Sequence, residues 1–320
     1  MANKINRLVI GLTLAIVPAF AQTNAVKVTK LIFSVADLDK SVAFYRALGL
    51  QTQGQIGQPQ PAPPFVLQMV DVPKGTRFRN AMLNFPGADI ALELTEFSGM
   101  ELHPGKPRIQ DPGAALLIVV VRNIDGALDR VRSAGAMVVT PGGAPLRNEA
   151  RGRAVTVCDP DGFYVAIVQP DDLPAGNDFV VSARWATTVQ DAGKTAAYVS
   201  QLGLETKLSK WDGEDPALKD LGTPGSQYRA RSVQVPDFSL RWSVYEWKDI
   251  DRKPWRLRIP DPGAPAIGLE VRDLDAAEAT IKAAGGSVIT QGGSVQFPGG
   301  GKLGFVRDPG GVLLELAQPR

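Results

Sequence analysis

Along residues 27–170 the spacing of apolar positions switches from the strand period to the helical one and back twice. Residues 31–35 (LIFSV) are an apolar run of the length a buried strand needs. Asp37 then stands where a helix cap belongs, and Val42, Tyr45 and Leu48 follow at helical spacing up to Gly49, a helix-stopping glycine. Three short strand-like runs come next, the clearest being 80–85 and 90–97 around the Pro86-Gly87 turn. The cycle then restarts with a strand at 116–121 and a helix that carries Ile124, Leu128 and Val131 and ends near Gly135. Strands at 154–158 and 164–168 close it, joined by Asp-Pro-Asp-Gly at 159–162. The predicted order is strand, helix, strands, performed twice.

The second half of the chain repeats the first. Residues 115–125 (ALLIVVVRNID) match 265–275 (PAIGLEVRDLD) at an offset of 150, which also aligns Asp111-Pro112-Gly113 with Asp261-Pro262-Gly263. Near the start of each half, Leu48-Gly49-Leu50 corresponds to Leu202-Gly203-Leu204, and Asp37 to Asp191. A period of that size is a duplicated domain and not a stacking array. The reading is therefore a first domain at 27–170, a Pro/Gly/Asp-rich linker at 171–178 and a second domain at 179–320.

Residues 1–21 (MANKINRLVIGLTLAIVPAFA) lie outside this pattern. A basic head (Lys4, Arg7), an uncharged apolar run and a small-x-small ending at Ala21 are the three parts of a signal peptide in order. The expectation is export to the periplasm or beyond, with cleavage after Ala21 and no membrane insertion afterwards. An uncleaved N-terminal anchor is the alternative. The net charge of +2 resides in this segment, so the remainder is neutral and favours neither nucleic acid nor membrane. One cysteine, Cys158, and one histidine, His103, exclude an internal disulfide, a Cys-rich zinc site and any mechanism needing two histidines from one chain.

Three segments carry a resemblance: 34–50 (SVADLDKSVAFYRALGL), Asp-Pro-Asp-Gly at 159–162, and 308–315 (DPGGVLLE). With the fourfold strand–helix–strands order, they resemble the vicinal oxygen chelate superfamily, which includes glyoxalase I, extradiol dioxygenases and bleomycin-resistance proteins. The resemblance implies an α+β fold of two tandem domains, each of paired βαβββ modules whose strands form a cupped mixed sheet around a small-molecule cavity. In metal-dependent members, four inward strand positions per cup hold a divalent ion, typically through His and Glu. Carried onto this chain, those positions fall at Lys30, Glu93, Leu116 and Ala166 in the first half. In the second half they fall at Arg184, Ser243, Ala266 and Glu315.

One carboxylate of four per half, beside a cation, is not a donor set for zinc, nickel or iron. No metal and no cofactor are expected. His103 reads as a loop residue between modules. The replacements suggest ion pairs instead: Lys30 with Glu93 in one cup, Arg184 with Glu315 in the other. Such pairs either satisfy each other or leave a cation to receive an anionic ligand. Strand alternation adds Arg241, Ser243, Tyr245 and Glu270 to the second set as ligand-binding candidates. Arg77, Arg79, Arg229 and Arg231 are either ligand-facing or a solvated sheet edge. Gly299 to Gly304 spells a dinucleotide fingerprint but leads into a strand, so nucleotide binding is not expected.

The leading functional expectation is a binder of a small, sometimes anionic, molecule in one or both cups. A metal-independent lyase or isomerase using Glu315 or Glu93 as base is the enzymatic alternative. An interaction module with collapsed cavities is the third. Duplication within one chain favours a monomer.

Overall fold

The computed structural model describes residues 24–86, 90–148, 152–173, 175–176, 179–209, 211, 233–235 and 241–320. The signal-like segment 1–21, Gly87 of the predicted turn, Arg229, Arg231 and part of the linker lie outside the described residues.

The first module runs β1 (Ala25–Ser34), α1 (Leu38–Leu48), β2 (Gln51–Gln53), β3 (Gln60–Pro61), α2 (Pro64–Met69), β4 (Arg77–Asn84) and β5 (Ala91–Ser98). The second runs β6 (Ala115–Val121), α3 (Ile124–Ser133), β7 (Met137–Val138), β8 (Leu146–Asn148), β9 (Gly152–Cys158) and β10 (Tyr164–Gln169). The third contains β11 (Val180–Thr188), α4 (Ala192–Gln201), β12 (Lys207–Leu208), β13 (Val233–Val235) and β14 (Arg241–Tyr245). The fourth contains β15 (Pro265–Val271), α5 (Leu274–Ala283), β16 (Ser287–Val288), β17 (Val295–Gln296), β18 (Lys302–Arg307) and β19 (Leu313–Gln318).

The local rules act in parallel in all four modules. Asp37, Asn123, Asp191 and Asp273 cap α1, α3, α4 and α5, each side chain accepting from the backbone N–H three residues on. Gly49 ends α1 at φ 113°, and a Cβ there would stand 2.9 Å from the ring of Phe179. Position 49 therefore excludes a side chain on two counts, conformation and space. The helix α2 was not predicted. Its segment lacks helical periodicity, and what nucleates it is Pro64 at its first turn.

Two cupped mixed sheets form, as the α+β reading requires. What differs from expectation is which modules share a sheet. One sheet is ordered β16-β18-β19-β15-β1-β5-β4-β2, and the other β12-β13-β14-β11-β6-β10-β9-β7. The first module thus pairs with the fourth through antiparallel β1 and β15, with Leu31 opposite Ile267. The second pairs with the third through antiparallel β6 and β11, with Leu117 opposite Trp185. Each cup is assembled from both halves of the chain.

Consecutive modules meet face to face instead. Leu31, Phe33, Leu92 and Leu94 from one sheet share a buried core with Leu117, Val119, Val165 and Trp185 from the other. Phe33 stacks on Phe163 with ring centroids 4.0 Å apart and packs 5.3 Å from Trp185. Two buried phenol–carboxylate contacts fasten neighbouring modules. Tyr45 on α1 donates to Asp159 at 2.8 Å, and Tyr198 on α4 donates to Asp308 at 2.6 Å. The crossover loops carrying the Asp-Pro-Gly repeats clasp each other reciprocally: Asp111 accepts from the N–H of Lys253, and Asp261 from that of His103. Gly263 lies so close to the carbonyl of Gly105 that a Cβ would come within 2.0 Å of its oxygen. Among the described residues, no helix is long and apolar enough to cross a membrane.

Candidate functional site

Strand alternation decides what enters each cup. On β1, Leu31 and Phe33 face the shared core, which turns Lys30, Ile32 and Ser34 to the opposite face. The same alternation turns Glu93, Thr95 and Phe97 of β5 and Glu315 of β19 inward. Because β15 separates β1 from β19, with Lys30 opposite Gly268 and Gly268 opposite Glu315, the side-chain-free Gly268 lets Lys30 reach across. A Cβ at Gly268 would sit 2.8 Å from Cγ of Lys30.

The outcome is a three-member polar floor. Lys30 Nζ lies 2.7 Å from Glu93 Oε2 and 2.9 Å from Glu315 Oε1. Asn80 Nδ2 donates to the other oxygen of Glu93 at 2.8 Å. Glu315 therefore belongs with Lys30 and Glu93, and not with Arg184 as the tandem reading placed it. The reason is topological: the fourth module shares its sheet with the first.

Burial works against the Lys30 ammonium, but the Glu315 and Glu93 carboxylates more than offset it and hold its pKa above the ordinary value. Glu93 is raised by burial yet lowered further by Lys30 and by the Asn80 hydrogen bond, so it ends below the usual carboxylate range. Glu315 ends above that range, because burial and the nearby Glu93 outweigh Lys30. Two carboxyls whose proton affinities are pushed apart in this way are the arrangement acid–base chemistry uses.

Above the floor opens a cavity of about 310 Å³. Its walls are apolar: Phe65 and Met69 of α2, Phe78 and Met82 of β4, and Phe305 of β18. Phe297 is 44% exposed and meets Phe65 edge-on at 5.9 Å, so a residue from each half stands at the mouth. The unpredicted α2 is held there from the fourth module. Gln68 donates to the carbonyl of Gln291 at 2.7 Å, and Thr290 donates to that of Met69 at 2.8 Å. This aromatic wall escaped sequence reasoning. Its only local signal was the Pro63-Pro64 pair that starts α2.

The remaining candidates are placed elsewhere. Glu270 lies on β15 of the same sheet as Lys30, 3.5 Å from Lys27, and not with Arg184. Arg184, Ser243 and Tyr245 do share the second cup's face, but Arg184 is exposed. The centre of that cup is a packed cluster of Ile109, Leu116, Ala186 and Trp247, with Tyr164 and Tyr245 against it. Arg241 starts β14, and its side chain lies outside the described residues. Arg79 is not ligand-facing: it binds Glu96 at 2.8 Å and Asp39 at 3.0 Å. Arg77 donates to the carbonyl of Pro59. His103 is exposed on a crossover loop, and Cys158 is buried with its thiol pushed up to about 12 by desolvation. The Gly-rich stretch at 299–301 is a turn between β17 and β18, as expected. Among the described residues, no group of three or more His, Cys, Asp or Glu side chains is placed to hold a metal ion.

Residues 27–167 match the model of the Glyoxalase/Bleomycin resistance protein/Dioxygenase superfamily. Among solved structures, glyoxalase I from Zea mays aligns at 18% identity and TM-score 0.59, covering 91% of this chain and 92% of that one. A putative dioxygenase from Bacillus subtilis subsp. subtilis str. 168 aligns at 14% identity and TM-score 0.55, covering 93% of this chain and 86% of that one. Identities this low speak to fold alone. No curated protein matches this sequence.

Proposed function

Residues 27–167 belong to the Glyoxalase/Bleomycin resistance protein/Dioxygenase superfamily and the whole chain has its glyoxalase-like fold; from that premise we propose a small-molecule-binding protein whose working cup is the one floored by Lys30, Glu93 and Glu315. The observation that carries this reading is the open, apolar-walled cavity of about 310 Å³ directly above a part-buried Glu–Lys–Glu cluster. Open apolar cavities with a few convergent polar groups are the usual form of ligand sites. The described centre of the second cup is packed around Trp247. A neutral apolar dye such as Nile red binds the protein saturably at one site on this reading. Leu303→Trp, which fills the cavity wall, abolishes the fluorescence gain while circular dichroism stays unchanged. Equal dye binding by both proteins would rule this cup out.

We further infer that the cup works without a divalent metal. Two carboxylates are present, but the ammonium of Lys30 stands within 2.9 Å of both, and Ala266 occupies the fourth inward position. A cation bound there would compete with a fixed positive charge and find only two carboxylates and no imidazole. Zinc, nickel and manganese should therefore leave the melting temperature of the protein unmoved. Lys30→His/Ala266→His restores two imidazoles beside the two glutamates. That variant should gain about 2.7 kcal/mol at a metal concentration a hundred times its dissociation constant. Saturable stabilisation of the unmodified protein by one of these metals would overturn the inference.

A further inference from the structure

The charge balance of the floor specifies the ligand class, an inference that rests on the cup reading above. The cavity lining contains two carboxylates, Glu93 and Glu315, and one ammonium, Lys30. That ammonium is already engaged by both carboxylates, at 2.7 and 2.9 Å. Sequence alone suggested one cation per cup facing one carboxylate, with the cation left over for an anion. Assembly of the cup from both halves adds a second carboxylate and reverses the surplus.

We propose that this cup selects a cationic organic molecule, an aryl- or alkyl-ammonium, whose charged nitrogen approaches Glu315 while its apolar part lies among the phenylalanines. A buried site with one uncompensated negative charge is costly, and a ligand cation neutralises it where an anion would double it. The walls suit the same class. Phe65, Phe78, Phe97, Phe297 and Phe305 all line the cavity, and the faces of such rings attract cations through their quadrupole. Burial and the nearby Glu93 raise the Glu315 carboxyl above its ordinary value, as expected of a floor with more carboxylates than cations. A bound ammonium supplies the counter-charge that the floor lacks. Lys30 and Glu93 are the charged groups facing Glu315 in the lining.

The test is a calorimetric series with three probes of one shape and different charge: 4-phenylbutylamine, 4-phenylbutanol and 4-phenylbutyrate. The amine should bind at least about tenfold more tightly than the alcohol, and the carboxylate more weakly than either. In Glu315→Gln the amine should lose roughly tenfold or more in affinity while the alcohol is unchanged, which also shows that the cup is still folded. Equal binding of amine and alcohol overturns the charge assignment but leaves the cup intact as a site. Tightest binding of the carboxylate also overturns it, returning Lys30 to the role of anion receptor. Failure of all three to bind counts against the cup itself.

Discussion

Lys30→Met costs about 3 kcal/mol of folding stability at pH 7, the lower end of the range for removing one partner of a buried ion pair, because Lys30 and Glu93 stay 22% and 14% exposed. Methionine keeps the length of the chain and loses the charge, leaving Glu93 and Glu315 buried together with nothing between them. In the unmodified protein Glu93 is held below its ordinary value, so its contribution is present above the unfolded value of 4.5 and lost as pH falls through the folded one. In the variant the two carboxyls cannot both ionise, and at least one takes up a proton on folding. The deficit should accordingly shrink as pH drops below about 4.5, because in the variant both carboxyls are then protonated in the folded and the unfolded chain alike. Urea denaturation at pH 7 and pH 4 measures both statements. A loss below 1 kcal/mol at pH 7, or one of equal size at both pH values, would show that the cluster is not electrostatically coupled. Lys30→Met/Glu93→Gln/Glu315→Gln, which removes all three charges, should recover most of the loss, because the penalty is the unpaired charge and not the missing contact.

The second large effect lies in the fastenings between neighbouring modules. Burial raises Asp159 from 3.8 to about 7, with Asp161 adding to it and the Tyr45 hydrogen bond opposing. Asp308 is raised from 3.8 to about 6, again mainly by burial. A carboxyl with a raised folded pKa binds more protons in the folded state than in the unfolded one between the two values. Stability therefore falls as pH rises from about 4 to about 7 and levels off above. Asp159→Asn removes the larger of these two contributions. Relative to the unmodified protein, the variant should gain roughly 2–4 kcal/mol between pH 4 and pH 7, because each tenfold difference in proton affinity between folded and unfolded chain is worth about 1.4 kcal/mol. The slope is the readout, since the exchange of hydrogen-bonding groups adds a constant offset. Parallel stability curves for the two proteins would mean that Asp159 is ionised in the folded state at an ordinary pH.

The two aspartates also show how the duplication diverged. In the first half, Asp161 follows Asp159 and accepts from Ser41 at 2.8 Å and from the N–H of Ala36 at 2.7 Å. In the second half that position is Gly310, where a Cβ would lie 2.9 Å from Oγ1 of Thr195. Val189, at 3.0 Å from the same point, closes the space on the other side, so no side chain is accommodated at Gly310. The Tyr–Asp contact common to both halves persists, and the accessory one does not.

Much of this was readable in the sequence for a local reason. Helix caps, the αL glycine after α1 and the period of two along each strand are decided within a few residues. Together with the ligand positions that the family resemblance implies, they put Lys30, Glu93 and Glu315 on inward faces. The aromatic wall was not readable, because α2 is a single turn and a half begun by proline, in a segment whose apolar residues follow no period.

By itself the sequence determined four strand–helix–strand modules and the glycines and caps that bound them, and its family resemblance pointed to Lys30, Glu93 and Glu315 as inward residues. Only the tertiary structure decided that Glu315 joins Lys30, because that depends on which module edges pair. The four central strands β1, β6, β11 and β15 are all apolar on the core side, so nothing in their patterns distinguishes one pairing from another. The choice is made by long-range packing: the stacking of Phe33 on Phe163 and the Tyr45–Asp159 and Tyr198–Asp308 contacts hold consecutive modules face to face. The sheet edges left over then pair across the halves. A cup that each half alone would have supplied with one cation and one carboxylate becomes a cup with one cation and two.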